Sequence, residues 1–276
     1  MLIVDAQVHI WESGTPVFHH RQVSSYTADE LLREMDAGGV DAALLHPPSW
    51  DPRANEIAIE AARAHPQRLA ILGFFDASAE NRARVERWKT QPGMLGLRFA
   101  FLRPGQENWL IDGTMDWLWP VAERAGLPVG LLAPNRAQAV GAIAARHPGL
   151  KLLVDHMGRP RGSKDAAGFA DLDQWLALAR HPNVAIKATG APSYSGDAYP
   201  YRSIHPFLQR IFDAFGPDRM FWGTDITRMP CSWRQCVTMF TEELPWLKGR
   251  DLERVMGAAL CDWVGWKRGK AANGEL

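Results

Sequence analysis

The side chains of this chain that could do chemistry gather at the ends of short apolar runs. Asp5, Gln7 and His9 close the first run, in Val4-Asp5-Ala6-Gln7-Val8-His9-Ile10-Trp11. His46 follows a second run and leads into Pro47-Pro48-Ser49-Trp50, while Arg98 lies in Gly96-Leu97-Arg98-Phe99. Asp155 and His156 follow Leu152-Leu153-Val154, Lys187 ends Val184-Ala185-Ile186, and Thr224-Asp225-Ile226-Thr227-Arg228 come after Phe221-Trp222-Gly223. Carboxylate, imidazole, amide and guanidinium groups together can move a proton, stabilise an oxyanion, grip an anion or coordinate a divalent ion. One polar residue after a strand is commonplace. Polar residues after nearly every strand, all aimed at one mouth, make a site.

A frame has to hold those ends together. Residues 2–4, 42–45, 69–75, 95–99, 129–132, 151–154, 184–187 and 220–222 are near-continuously apolar, as parallel strands buried on both faces are. Helical patterns rich in Ala, Leu and Arg alternate with them. Thr27-Ala28-Asp29-Glu30 has the form of a capping box, and helices over 54–65, 136–147 and 170–180 are expected to stop before Pro66, Pro148 and Pro182. A closing helix is expected over 251–266 and a loose polar tail over 267–276. Strand–helix units repeated through 276 residues predict an α/β fold, a (β/α)8 TIM barrel in a single domain over 1–276. Chemistry in such a barrel sits where the strands end. No G-x-G-x-x-G turn supports the alternative, a doubly wound sheet.

With 31 basic and 31 acidic residues the formal net charge is zero, so neither nucleic acid nor an anionic membrane is an expected partner. No apolar run approaches the roughly 20 residues of a membrane span. Met1 leads straight into strand-like residues and the three cysteines lack CxxC spacing, so a reduced, cytoplasmic protein is expected. Its partner would be a small molecule, and a homo-oligomer is left open.

Several candidates also have structural readings. Asp5 serves equally well as a hydrogen-bonding anchor, His46 as a satisfied edge histidine, and Lys187 as half of an ion pair. Asp76 reads as a helix cap, and His65, His147 and His181 as structural residues before proline. His19 and His20 lie in the first loop within reach of the mouth, where a lone pair is weak evidence. Trp11, Trp50, Trp109, Tyr194, Tyr199 and Tyr201 are candidate pocket walls.

The four phrases from strands one, four, six (Val154-Asp155-His156-Met157-Gly158) and eight, in that order, resemble the amidohydrolase superfamily. The likeness is to its amidohydrolase-related branch (amidohydrolase 2), in the group of pyrone-dicarboxylate lactonase and the sugar lactonases. The resemblance implies hydrolysis at the barrel mouth. It matches His9 to the second histidine of a strand-one pair and His156 to the strand-six histidine. It matches Asp225 to the aspartate that takes a proton from the attacking water, and Arg98 to an arginine that holds a substrate carboxylate or carbonyl. The chain departs from the pattern at Gln7, where a histidine is usual, and at Met256-Gly257-Ala258-Ala259, which lacks an asparagine.

The expected reaction is therefore opening of a small, carboxylated or sugar-derived lactone. Asp225 would be the general base, with His9 and His156 as the other catalytic groups. Arg98, Gln7, His46, Lys187, Arg228 and Trp50 would contact substrate. A neutral amide at Gln7 is a poor ligand for zinc, so no metal cofactor is expected; a divalent ion at His9, His156 and Asp225 is the alternative. Two rivals are a metal-dependent decarboxylase or other C–C or C–N hydrolase of an aromatic or muconate-type acid, and a non-catalytic barrel that binds a small acid.

Overall fold

Eight strands pair in parallel in chain order: β1 (Val4–Val8), β2 (Ala42–Leu45), β3 (Leu69–Phe74), β4 (Met94–Ala100), β5 (Val129–Leu132), β6 (Leu152–Val154), β7 (Val184–Thr189) and β8 (Met220–Gly223). The computed structural model describes residues 1–102, 105–106 and 108–268, so most of the expected tail lies outside the described residues. Hydrogen bonds across the seam draw β8 to β1. The Asp225 N–H donates to the Gln7 carbonyl at 2.8 Å, and the Thr224 N–H donates to Asp5 Oδ1 at 2.8 Å. The sheet is thus a nearly closed (β/α)8 barrel.

Both faces of the strands are apolar because both are buried. Val4, Ala6, Leu44, Leu72, Leu153, Ala185 and Phe221 form an inner cluster, joined by Leu260 and Val264 of the Ala259–Val264 helix. Val8, Leu45, Ile71, Ile186 and Trp222 belong to the outer cluster, which packs under the surrounding helices. The Ala28–Gly38 helix starts as its sequence dictates. Glu30 N–H donates to Thr27 Oγ1 and Thr27 N–H donates to Glu30 Oε2, a reciprocal cap worth about 1 kcal/mol.

Two expectations shift. The first strand runs over Val4–Val8 rather than 2–4, which takes Asp5 and Gln7 into the strand itself. Its pairing with β2 changes register between Asp5 and Val8. Below the shift Val4 and Ala6 point into the barrel; above it Gln7 does, reaching Lys187 and His156. An irregularity of this kind reverses which alternate residues face inward. The closing helix expected over 251–266 divides into Gly249–Glu253, a wide turn at Arg254–Ala258 and Ala259–Val264. The wide turn is where the chain passes β1, since a Cβ on Gly257 would lie 2.8 Å from Val4 Cγ2. Among the described residues no helix is long and apolar enough to cross a membrane.

Candidate active site

Asp225 is placed by a turn that needs glycine before it. A Cβ on Gly223 would come within 2.7 Å of the Ala6 nitrogen and 2.9 Å of Asp5 Oδ1, so a larger residue would push β8 off β1. Asp5 is the anchor of this turn. Its Oδ1 accepts from the Gln7 and Thr224 N–H groups, and its Oδ2 from the Thr224 hydroxyl and the Trp233 indole N–H. Burial pushes its carboxyl up to about 7, with those donors pulling the other way. Asp225 itself adopts a left-handed conformation (φ 55°), as do His156 (φ 51°) and Met157 (φ 57°) after β6. Each costs on the order of 1–3 kcal/mol, and such strain concentrates at functional sites.

These turns bring the charged groups together. Asp225 Oδ1 lies 3.2 Å from His9 Nε2 and 3.9 Å from His20 Nδ1, and its Oδ2 lies 3.5 Å from His156 Nε2 and 3.7 Å from Arg228 Nη1. Burial alone would raise the Asp225 carboxyl, but His9, His20 and Arg228 hold it well below the usual carboxylate range. It is ionised at neutral pH. The side chain is only 1 % exposed, and its Oδ1 faces the His9 and His20 rings.

The protons on His9 and His156 follow from their neighbours. His9 Nδ1 faces the His46 carbonyl, which can only accept, so Nδ1 carries a hydrogen and Nε2 is turned to Asp225. Two lone pairs do not face each other at 3.2 Å without a proton or a cation between them. For His156 the logic starts at Lys187, a buried ammonium with three partners: Asp155 Oδ1 at 2.7 Å, Gln7 Oε1 at 2.8 Å and His46 Nε2 at 3.3 Å. Lysine only donates, so it fixes the Gln7 carbonyl toward itself and the Gln7 amide N–H toward His156 Nε2, 3.1 Å away. His156 Nε2 therefore accepts, and its Nδ1–H donates to Thr189. Burial, with Arg228 nearby, pushes this imidazole well below its ordinary value, so it is neutral. Arg98 Nε donates to Asp155 at 3.1 Å; against the cost of burial, Lys187 and Arg98 hold that carboxyl well below its usual range.

A cavity of about 290 Å³ opens above Asp225, its walls including His9, His20, Trp50, Arg98 and Arg161. Of the residues expected from sequence, His9, Trp50, Arg98 and Asp225 line it. Gln7, His46, Lys187 and His156 do not line it; they are buried and joined by contacts of Lys187 with Gln7 and His46 and of Gln7 with His156. Arg228 faces an adjoining cavity of about 280 Å³ with Tyr194, His19 and Arg161. Trp11 is core, its indole N–H donating to the Val23 carbonyl. Asp76 makes a local turn, accepting from the Ser78 N–H two residues on, and His147 pairs with Glu123.

Two groups at the cavity had little or no sequence signal. His20 packs on Trp50 with ring centroids 4.9 Å apart, and its Nδ1 lies 2.8 Å from Thr227 Oγ1. The Arg21 N–H, donating to the Thr227 carbonyl at 2.7 Å, pins the first loop over the end of β8. Burial lowers the His20 imidazole to about 3. Arg161 stands at the mouth, where burial and the neighbouring Arg228 bring it down to about 10. The His19-His20 pair was visible in sequence; Arg161 was distinguished by nothing but its place after β6.

Ligand atoms of His9, His20 and Asp225 lie within 4.8 Å of one another and could hold a metal ion. Two imidazoles and a carboxylate with an open fourth position suit a zinc-like ion. His156, expected in that set, is not part of it, because its Nε2 accepts the Gln7 amide hydrogen.

A family model described as amidohydrolase matches residues 4–268. The chain belongs to the amidohydrolase family. It is 25% identical to L-fucono-1,5-lactonase of Burkholderia ambifaria over 56% of this chain and 54% of that one. It is also 25% identical to 4-sulfomuconolactone hydrolase of Hydrogenophaga intermedia, over 80% of this chain and 73% of the other. The amidohydrolase thus spans about half the length of the fuconolactonase it matches. A solved amidohydrolase of Burkholderia multivorans with bound zinc shares the fold, with a TM-score of 0.83 and 20% identity, covering 96% of this chain and 99% of that one.

Proposed function

We propose that this amidohydrolase opens a small lactone by attack of water at the barrel mouth, with Asp225 as general base. One observation carries the proposal: a buried, ionised carboxylate lines the cavity, with the His9 and His20 rings beside its Oδ1. Such an acceptor can hold and deprotonate a water. The water oxygen would attack the acyl carbon while Asp225 takes its proton. Collapse of the tetrahedral intermediate breaks the ring C–O bond, and the proton returns to the departing alkoxide, giving a hydroxy acid. His9, with a proton on Nε2, donates to the carbonyl oxygen as charge develops, a contribution of about 3–4 kcal/mol per well-placed donor. Arg98 and Arg161 supply guanidinium groups for a carboxylate or other polar substituent. Gln7, Lys187 and His46 act by fixing His9 and His156 rather than by touching substrate. The lactone-hydrolysing relatives support the reaction class, and the cationic walls favour a carboxylated or sugar-derived lactone.

A divalent ion held at His9, His20 and Asp225 would polarise the carbonyl as a Lewis acid. In our reading turnover does not require one, since a lactone carbonyl is a strong electrophile. Elemental analysis of wild type and Gln7→His, with activity before and after chelation, tests this. Full activity at trace metal content supports it; stoichiometric metal in wild type, held as tightly as in the variant and needed for activity, overturns it. The same donor group favours a second reading, metal-dependent decarboxylation of an aromatic or muconate-type acid. That reading predicts carbon dioxide release abolished by chelation, where lactonase action predicts acid release from a lactone panel.

A further inference from the structure

Cys231 and Cys236 have no part in the proposed chemistry, and the fold brings their sulfurs to 3.5 Å. The reason is the start of the Trp233–Thr241 helix. Ser232 is its N-cap, in a capping box with Gln235, so Cys231 is the residue before the cap and Cys236 the fourth residue of the helix. Those two positions meet wherever a helix begins this way, usually as an apolar staple. Here the staple is a dithiol. Cys236 is buried, whereas Cys231 is partly exposed and opens on a cavity of about 410 Å³ that Lys164, Tyr199, Tyr201 and Gln235 also line.

We propose that Cys231 and Cys236 are a reversible modification site, oxidised to a disulfide by a hydroperoxide, that fastens the end of the Asp225 turn to the Trp233–Thr241 helix. The Cys231 thiolate would attack the peroxide, forming an S–O bond as the O–O bond breaks and an alcohol or water departs. Cys236 then displaces the sulfenic oxygen: the S–S bond forms, the S–O bond breaks, and the thiol proton leaves with the oxygen as water. Two thiols are oxidised and one peroxide reduced. The sulfurs need to approach by roughly 1.5 Å to reach a disulfide bond length, a movement on the scale of side-chain rotation. The asymmetry suits these roles. The hydrogen bond from Cys236 and one from Tyr201, against burial, bring the Cys231 thiol down to about 7, while Cys236 is pushed well up. Cys261, isolated and pushed by burial up to about 11, is an internal control.

The disulfide would restrain a joint close to the site. Met229 and Pro230 alone separate Cys231 from Arg228, and Trp233 on the same helix donates to Asp5. The test uses the full chain with equimolar hydrogen peroxide, alkylation of remaining thiols and tryptic digestion. Cleavage after Arg234 separates the two cysteines. The expected product is peptide 229–234 linked to peptide 235–248, released by dithiothreitol, with Cys261 still alkylated and oxidised at least about tenfold more slowly. Cys261→Ser should link as wild type does, and Cys236→Ser should leave a sulfenic acid on Cys231 that dimedone captures. Equal alkylation of all three cysteines, or Cys231 passing to sulfinic acid without the link, overturns the proposal. Neither result depends on lactone hydrolysis.

Discussion

Asp225 is held well below the usual carboxylate range, which makes it reliably ionised and, taken alone, a weak base. The proposed mechanism resolves this through His9. A proton on His9 Nε2 stabilises the resting carboxylate; once that proton is drawn toward a carbonyl oxyanion, Asp225 becomes the stronger acceptor as the water must lose its own. Asp225→Asn is expected to lower kcat by about 10²–10⁴-fold with an unchanged unfolding midpoint, read by steady-state kinetics beside circular dichroism. Lys187 is tested by stability. Replacing it with Met leaves the buried Asp155 short of its closest counter-charge and releases the Gln7 amide. Loss of one partner of a buried ion pair costs about 3–5 kcal/mol, so Lys187→Met should show a large drop in the urea midpoint. An unchanged midpoint would mean that Lys187 does not organise these buried polar groups.

At the scale of elements, the site rests on a few backbone irregularities. The turn after β6 places His156 because Gly158, at φ 70°, lies against the Trp175 ring; a Cβ there would come within 2.3 Å of it. Gly158→Ala should therefore destabilise the protein by at least about 1–3 kcal/mol, seen as a lower melting temperature, and should lower activity by moving His156. Strand positions were legible from apolar runs, and β2 and β5 fall where those runs predict. The parity change in β1 was not legible, because Asp5 takes its partners from Thr224 and Trp233, far along the chain. Gln7 was recognisable as a departure, yet its effect on His156 depends on Lys187 from β7, a contact no local pattern announces. His20 is similar, meeting Thr227 across 207 positions.

The whole molecule stores several imidazoles in neutral form, and this sets its response to pH. Burial lowers His20 to about 3 and pushes His46 and His156 well below their ordinary value. The unfolded chain protonates these rings below about pH 6.5 while the folded chain resists, so stability falls as pH drops through that value. His20 alone accounts for about 2 kcal/mol at pH 5. Asp5 works in the opposite sense, its raised carboxyl favouring the folded state below about 7, but it is one group against three. Urea midpoints should therefore be lower at pH 5 than at pH 7.5, and a flat profile would mean that the buried rings are not held neutral. The barrel and the mouth it encloses were readable from repeated strand–helix units and four short phrases, whereas the cationic pocket wall at Arg161 emerged only once the loops were placed. The decisive measurement is acid release from a panel of sugar-derived and carboxylated lactones, followed by pH-stat with wild type and Asp225→Asn in parallel. Wild type is expected to hydrolyse at least one lactone and the variant to run near background; no lactone opened, or an equally active variant, would rule out Asp225 as the base of a lactonase.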